Sequence, residues 1–228
     1  KTSSTLTALD GLFLSGDDKP ALVLAPLRVC NSTWPEEARK WKHLKHVDVV
    51  PVTGVERERK EALKRDASVY ACNYQNLPWL IEHYGNHWPF DKVIADESTR
   101  LKSFRLRQGG VRARELSKVA HTKIKRFVNL TGTPAPNGLI DLWGQMWFVD
   151  AGKRLGKSFT AFRNRWFTVG RSGYGYTLRH PSCADEINNL LRDVCLTIDP
   201  KDYFKLEEPL VKEITVSLTS RAMDYYKK

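Results

Sequence analysis

Two short apolar runs end in groups that can do chemistry. Val93-Ile94-Ala95 leads into Asp96-Glu97, and Phe127-Val128-Asn129-Leu130 leads into Thr131-Gly132-Thr133-Pro134. A β-branched strand that presents two adjacent carboxylates at its carboxyl end suits Mg²⁺ binding by the first and activation of a water by the second. An acidic turn after a strand is also a common structural feature, so the pair alone is weakly specific. The second run is more specific. Two hydroxyls flank a glycine, and Pro134 and Pro136 stiffen the turn that holds them. Lys1-Thr2 opens a stretch with Leu6, Leu9, Leu12 and Phe13 on one helical face. A Lys-Thr pair at a helix start can neutralise phosphate and offer a hydroxyl to Mg²⁺. Glu97 and Asp96 are therefore candidate catalytic residues, and Thr2 and Asp96 candidate Mg²⁺ ligands. Lys1, Thr2, Thr131, Gly132 and Thr133 are candidate nucleotide-binding residues.

The elements that must position these groups alternate between strand and helix. Helical periodicity runs over Thr2–Leu14, and the all-apolar Ala21–Ala25 reads as a strand stopped by Pro26. Thr33-Trp34-Pro35-Glu36 has the form of a capping box, predicting a helix from there to about Trp41. Strands are expected at Val47–Val52 and Val69–Cys72, and helices at Glu56–Arg65, Pro78–Tyr84 and Val111–His121. Strands apolar on both faces with helical crossovers predict an α/β fold, a three-layer α/β/α sandwich on a mostly parallel sheet. Beyond Asn137 the pattern becomes helical, at Leu139–Val149, Ser158–Phe167 and Ala184–Arg192, with a Gly-rich loop over Gly170–Tyr176. Lys212–Leu218 alternates charged and apolar residues like a strand, and a helix follows it. The expected division is a nucleotide-binding domain over 1–150, a basic helical region over 151–211, and a returning strand and linker over 212–228.

The chain has 228 residues and a net charge of +11. Residues 98–126 carry +9 and residues 151–182 carry +7, which leaves the remainder at −5. Charge runs are usually solvated faces. Depletion of acids from the same segments favours a polyanion partner. No run approaches the roughly 20 apolar residues of a membrane span, and the first residues are polar rather than a secretory leader. Cys30, Cys72, Cys183 and Cys195 form no paired motif and read as reduced core thiols of a cytoplasmic protein. His83 and His87 have metal-ligand spacing on a helix but no partner pair, so a polar helix face is the better reading.

Together these motifs resemble the first RecA-like domain of a superfamily-2 helicase of the Swi/Snf translocase type. Lys1-Thr2 resembles the end of the family's phosphate loop. Leu22 to Leu27, with Trp34 and Glu37, resembles its backbone-touching strand and loop. Asn73-Tyr74-Gln75-Asn76-Leu77 falls at a second backbone-touching turn. Val93–Glu97 followed by Arg100-Leu101-Lys102 resembles its Asp-Glu motif with a basic tail. Leu130 to Leu139, then Leu142-Trp143, resembles the element that couples the nucleotide site to DNA. The resemblance implies ATP and Mg²⁺ as cofactors, double-stranded DNA as track, and a second RecA-like domain as partner, with no membrane. It implies ATP hydrolysis by the longer protein, while residues 1–228 alone bind ATP poorly because the loop's glycines are not among them. The compact spacing points to a bacterial or phage enzyme. The family's usual Asp-Glu-Ala-His is here Asp96-Glu97-Ser98-Thr99, and Thr99 is expected to take over the histidine's bond to the coupling element.

Candidate nucleic-acid contacts are short donors at strand ends (Arg28, Asn31, Asn73 and Asn137) and flexible cations nearby (Arg100, Lys102, Arg105 and Arg107). Trp34 suits a core anchor better than a base wedge, and Trp143, Met146 and Trp147 suit core packing. Phe159, Phe162 and Trp166 read as one buried face, with Arg163 and Arg165 opposite. Two other functions compete: a metal-dependent nuclease using Asp96, Glu97 and Lys102, and a non-catalytic nucleic-acid-binding module.

Overall fold

The structure is a computed structural model that describes residues 1–170, 173, 175–198 and 212–226. Two compact units are present, Lys1–Leu191 and Arg192–Lys228.

The larger unit is built on five parallel strands: β1 (Ala21–Ala25), β2 (Val49–Val52), β3 (Val69–Asn73), β4 (Lys92–Asp96) and β5 (Arg126–Leu130), in the order β2-β3-β1-β4-β5. All of β1 is buried, because both sheet faces are covered. Ala21, Val23 and Ala25 face one layer, with Leu6 and Leu9 of α1 (Thr2–Leu14) and Trp34 and Ala38 of α2 (Trp34–Lys40). Leu22 and Leu24 face the other. There they pack in a core with α4 (Leu77–Tyr84), α5 (Val111–Ala120) and α6 (Leu142–Asp150). Helix α3 (Glu56–Lys64) lies between β2 and β3 in the chain. The sandwich expected from the apolar strands is thus present.

The second core continues past position 150. Phe104 and Trp143 are joined there by Phe162 and Trp166 of α7 (Phe159–Trp166) and Ile187 of α8 (Ser182–Leu191). Phe167 does not extend α7. It starts β6 (Phe167–Val169), which pairs antiparallel with β7 (Tyr176–Leu178), and residues 171, 172 and 174 of the Gly-rich segment lie outside the described residues. So do residues 199–211 of the expected basic region.

Two further expectations are corrected. Thr33 makes no side-chain cap and is itself helical, because the chain turns into helix directly after Pro26 and passes through a π turn at Val29–Thr33. Residues 212–219 of the smaller unit have no regular structure before α9 (Ser220–Tyr226). Ile214 and Val216 are exposed there; an alternating pattern becomes a strand only where a sheet receives it. Of the cysteines, Cys195 is exposed and the other three are buried. His83 stacks on Trp79.

Lys92, the charged first residue of β4, is buried. Its ammonium meets Asp17 Oδ1 at 2.6 Å, Asp91 Oδ1 at 2.9 Å and the Lys19 carbonyl at 2.9 Å. This pins the turn after α1 to the start of β4.

Candidate active site

Parallel strands carry their carboxyl ends to one edge of a sheet, so the polar turns that follow them become neighbours. Asp96 is paired with Leu130, which sets Asp96-Glu97 and Thr131-Gly132-Thr133 side by side. Helix α1 begins at the same edge. A Cβ on Gly132 would lie 3.6 Å from Lys1 Nζ, an ordinary contact distance, so the ammonium lies beside the turn. Thr2 is the first residue of α1. Thr131 Oγ1 accepts the Thr133 backbone N–H at 3.1 Å, which tightens the turn.

The two carboxylates are held differently. Asp96 Oδ2 accepts the Trp34 indole N–H at 3.0 Å, and the Asp96 carbonyl accepts the Tyr74 hydroxyl at 3.0 Å. Burial, then the charge of Asp96, pushes the Tyr74 hydroxyl well above its ordinary range, so it stays a donor. The Cys30 thiol, also near Asp96, is pushed up to about 12 mainly by burial. Glu97 sits at φ 60, ψ 54. The left-handed region costs a residue with a Cβ roughly 1–2 kcal/mol, and such strain collects at functional sites. The Arg100 N–H to Glu97 carbonyl bond (3.1 Å) and the Thr99 Oγ1 to Glu97 Oε1 bond (2.9 Å) hold that conformation.

Thr99 therefore does not replace the missing histidine as expected, because its hydroxyl is committed to Glu97. The link between the two turns runs through Ser98 instead. Ser98 Oγ donates to Gln145 Oε1 at 2.8 Å, and Gln145 Nε2 donates to the Pro134 carbonyl at 2.6 Å. Both Ser98 and Gln145 are buried.

Mg²⁺ keeps several waters and takes only one or two protein ligands when it rides on substrate phosphates. Asp96, with one oxygen on Trp34, and the Thr2 hydroxyl fit that demand. The described residues contain no cluster of three or more His, Cys, Asp or Glu that could hold a metal by themselves.

The candidate nucleic-acid residues fall into three groups. Arg28 and Asn31 follow β1 and are exposed, with Asn31 Oδ1 accepting from Thr53 at 2.6 Å. Asn73 ends β3 beside them; its amide is closed internally by Gln75 and Asn76. Arg100 is exposed, 5.7 Å over the Tyr74 ring. Lys102 and the Asn137 backbone N–H converge on Asp141 Oδ2, at 3.4 and 3.0 Å. Arg105 turns inward. Its guanidinium stacks 3.6 Å from Phe159 and donates to the Lys102 and Phe104 carbonyls, and burial pushes its pKa below the ordinary arginine value. Arg107 stays exposed in the adjacent turn.

Trp34, Ser98 and Gln145 were not identified as site residues from the sequence. Only Gln145 carried a signal: apart from the terminal Asp150 it is the one polar side chain on a helix of Leu, Trp, Gly, Met, Phe and Val, and a buried polar group demands partners.

A parallel α/β sandwich with Lys-Thr at a helix start, an Asp-Glu strand end and a Thr-Gly-Thr turn on one edge defines a RecA-like domain of the P-loop nucleotide-hydrolase class. The chain belongs to the SNF2-related domain family, whose profile matches residues 1–228. It is 52% identical to protein p41 of Acyrthosiphon pisum secondary endosymbiont phage 1, over 99% of this chain and 50% of that protein. It is 26% identical to the ATP-dependent DNA helicase DDM1 of Arabidopsis thaliana, over 65% of this chain and 19% of that protein. A solved structure, a nuclease-deletion mutant of the Type ISP restriction-modification enzyme LlaGI with a DNA substrate mimic, aligns at TM-score 0.38 and 20% identity. That alignment covers 59% of this chain and 12% of that one. The chain thus spans half the length of its phage relative and a smaller share of the helicase. Among the described residues no helix is long and apolar enough to cross a membrane.

Proposed function

We propose that this chain is the first motor lobe of an ATP-dependent translocase that moves along double-stranded DNA, with a second RecA-like lobe as its partner. The observation that carries the reading is the meeting of Lys1, Asp96-Glu97 and Thr131–Thr133 at one sheet edge, in a member of a family that includes a DNA helicase. Lys1 neutralises phosphate charge, and Thr131–Thr133 line the turn beside it. Thr2 and Asp96 would hold Mg²⁺, which when bound shields the phosphates and polarises them toward attack. Glu97, fixed by Thr99, orients the attacking water and receives its proton. Arg28, Asn31, Arg100, Lys102, Arg107 and Asn137 face the DNA backbone, with Arg105 bracing the loop that bears Arg107 and the buried Asn73 bracing the turn after β3. A phage or bacterial origin is supported by the p41 likeness. Residues 1–150 form the nucleotide-binding part, 151–211 the basic protrusion and 212–228 the passage toward the second lobe. The test is ATP turnover by the full-length protein with and without duplex DNA. Stimulated turnover is expected; Mg²⁺-dependent plasmid cleavage without ATP would point to a nuclease instead.

A further inference from the structure

Gln145 touches both halves of the proposed site without reaching the nucleotide. Its carbonyl accepts from Ser98, the residue directly after Glu97. Its amide donates to the Pro134 carbonyl at 2.6 Å and to the Asp141 carbonyl at 3.2 Å. Its own backbone carbonyl accepts Asn129 Nδ2 at 3.0 Å, from the strand that delivers Thr131. One residue is therefore bonded to the segment after β4, to the strand β5, to the turn beyond it, and to Asp141. Asp141 in turn holds Lys102 and the Asn137 N–H.

Chemistry makes this connection stiff. Ser98 and Gln145 are 0% and 3% exposed, so water cannot replace a lost bond. Each buried donor or acceptor left unpaired is penalised, which ties a shift at one end of the amide to a shift at the other. The approach is made possible by Gly144. A Cβ there would lie 2.7 Å from the Leu101 carbonyl and 2.6 Å from that of Lys102. The cluster also holds an unused acceptor: Asn129 Oδ1 is buried with no hydrogen-bond partner, so a rearranged turn has somewhere to bond.

We propose that Gln145 is a positioning residue that couples the Asp96-Glu97 end to the Thr131–Pro134 turn, through Ser98 on one side and Pro134 on the other. DNA held near Lys102 and Asn137 then sets the pose of Glu97 through Asp141, Gln145 and Ser98. This rests on the motor reading above.

The test compares Gln145→Leu, Ser98→Ala and the double variant in the full-length protein, reading the ratio of DNA-stimulated to DNA-free ATP turnover. Misplacing a reacting group by about an ångström can cost up to about a hundred-fold. The ratio is expected to fall about ten-fold or more in Gln145→Leu and about three-fold in Ser98→Ala. The double variant is expected to lose no more than Gln145→Leu alone, as members of one network do. An unchanged ratio in Gln145→Leu, an equal loss in both rates, or losses that multiply in the double variant would overturn the proposal. Should Gln145→Leu fail to fold, Ser98→Ala removes a single hydroxyl and decides alone: an unchanged ratio there overturns it. Glu97→Gln separates the two levels. If it leaves turnover intact the motor reading fails; if it abolishes turnover while the ratio ignores Gln145, only the coupling fails.

Discussion

The indole N–H of Trp34 donates to Asp96 Oδ2 at 3.0 Å, joining the first helix after β1 to the candidate Mg²⁺ ligand at the end of β4. Trp34 is buried, so the aromatic read from sequence as a core anchor is one, and its polar edge also orients the carboxylate. Arg28 and Asn31 lie in the helical turns that run directly into α2, so the turn proposed to face DNA is linked through Trp34 to the proposed metal ligand.

Trp34→Phe keeps most of the packing and removes the N–H. The Mg²⁺ concentration for half-maximal ATP turnover is expected to rise about ten-fold, in line with the loss of an outer hydrogen bond to a metal ligand. Trp34→Ala should instead unfold the domain early, by about 3–5 kcal/mol. A magnesium titration beside a thermal melt distinguishes the two effects.

Gly144→Ala forces a methyl against two backbone carbonyls that cannot rotate away. Stability should fall by about 1–3 kcal/mol, as for other overpacked sites. The ratio of DNA-stimulated to DNA-free turnover should fall with it, because α6 can no longer hold Gln145 against Ser98.

Lys92→Met leaves Asp91 buried, with only Lys125 at 3.6 Å, and should cost on the order of 3 kcal/mol at about neutral pH. The pH dependence changes too. The hydrogen bond from Lys92 holds the Asp17 carboxyl below its ordinary value near 3.8. That contribution is complete above the ordinary value and drains away as the pH falls through the lowered one. The variant should therefore lose stability less steeply than the parent as the pH falls from the ordinary value toward the lowered one. Urea unfolding followed by tryptophan fluorescence at several pH values reads both effects.

Salt dependence separates DNA contacts from braces. Arg28→Ala and Arg107→Ala should each reduce the slope of log affinity against log salt by about 1, with little effect on stability. Arg105→Ala should leave the slope unchanged and lower stability, because its guanidinium is stacked on Phe159.

The sheet and the two neighbouring turns at its carboxyl edge were legible because their signals are local. Val93–Ala95 and Leu22–Leu24 are short apolar runs closed by polar or proline turns, which reads as strands buried on both faces, and parallel order brings the turns after them together. Ser98–Gln145 and Trp34–Asp96 were not legible, because each depends on how a helix is rotated against the sheet. The ion pair of Lys92 was not legible for a related reason: its partners, Asp17 and the Lys19 carbonyl, come from a turn more than 70 positions away. The alternation in Lys212–Leu218 was real as a pattern, but a strand needs a neighbour, which the pattern does not encode.

Glu97, set in its left-handed turn by Thr99, is proposed to activate the water that attacks the nucleotide. Glu97→Gln keeps the shape and removes the base. In the full-length protein it is expected to lower DNA-stimulated ATP turnover by about 10²–10⁴-fold, with duplex DNA affinity at fixed salt changed less than about two-fold. ATP turnover near the parent rate in a folded Glu97→Gln protein would contradict the account.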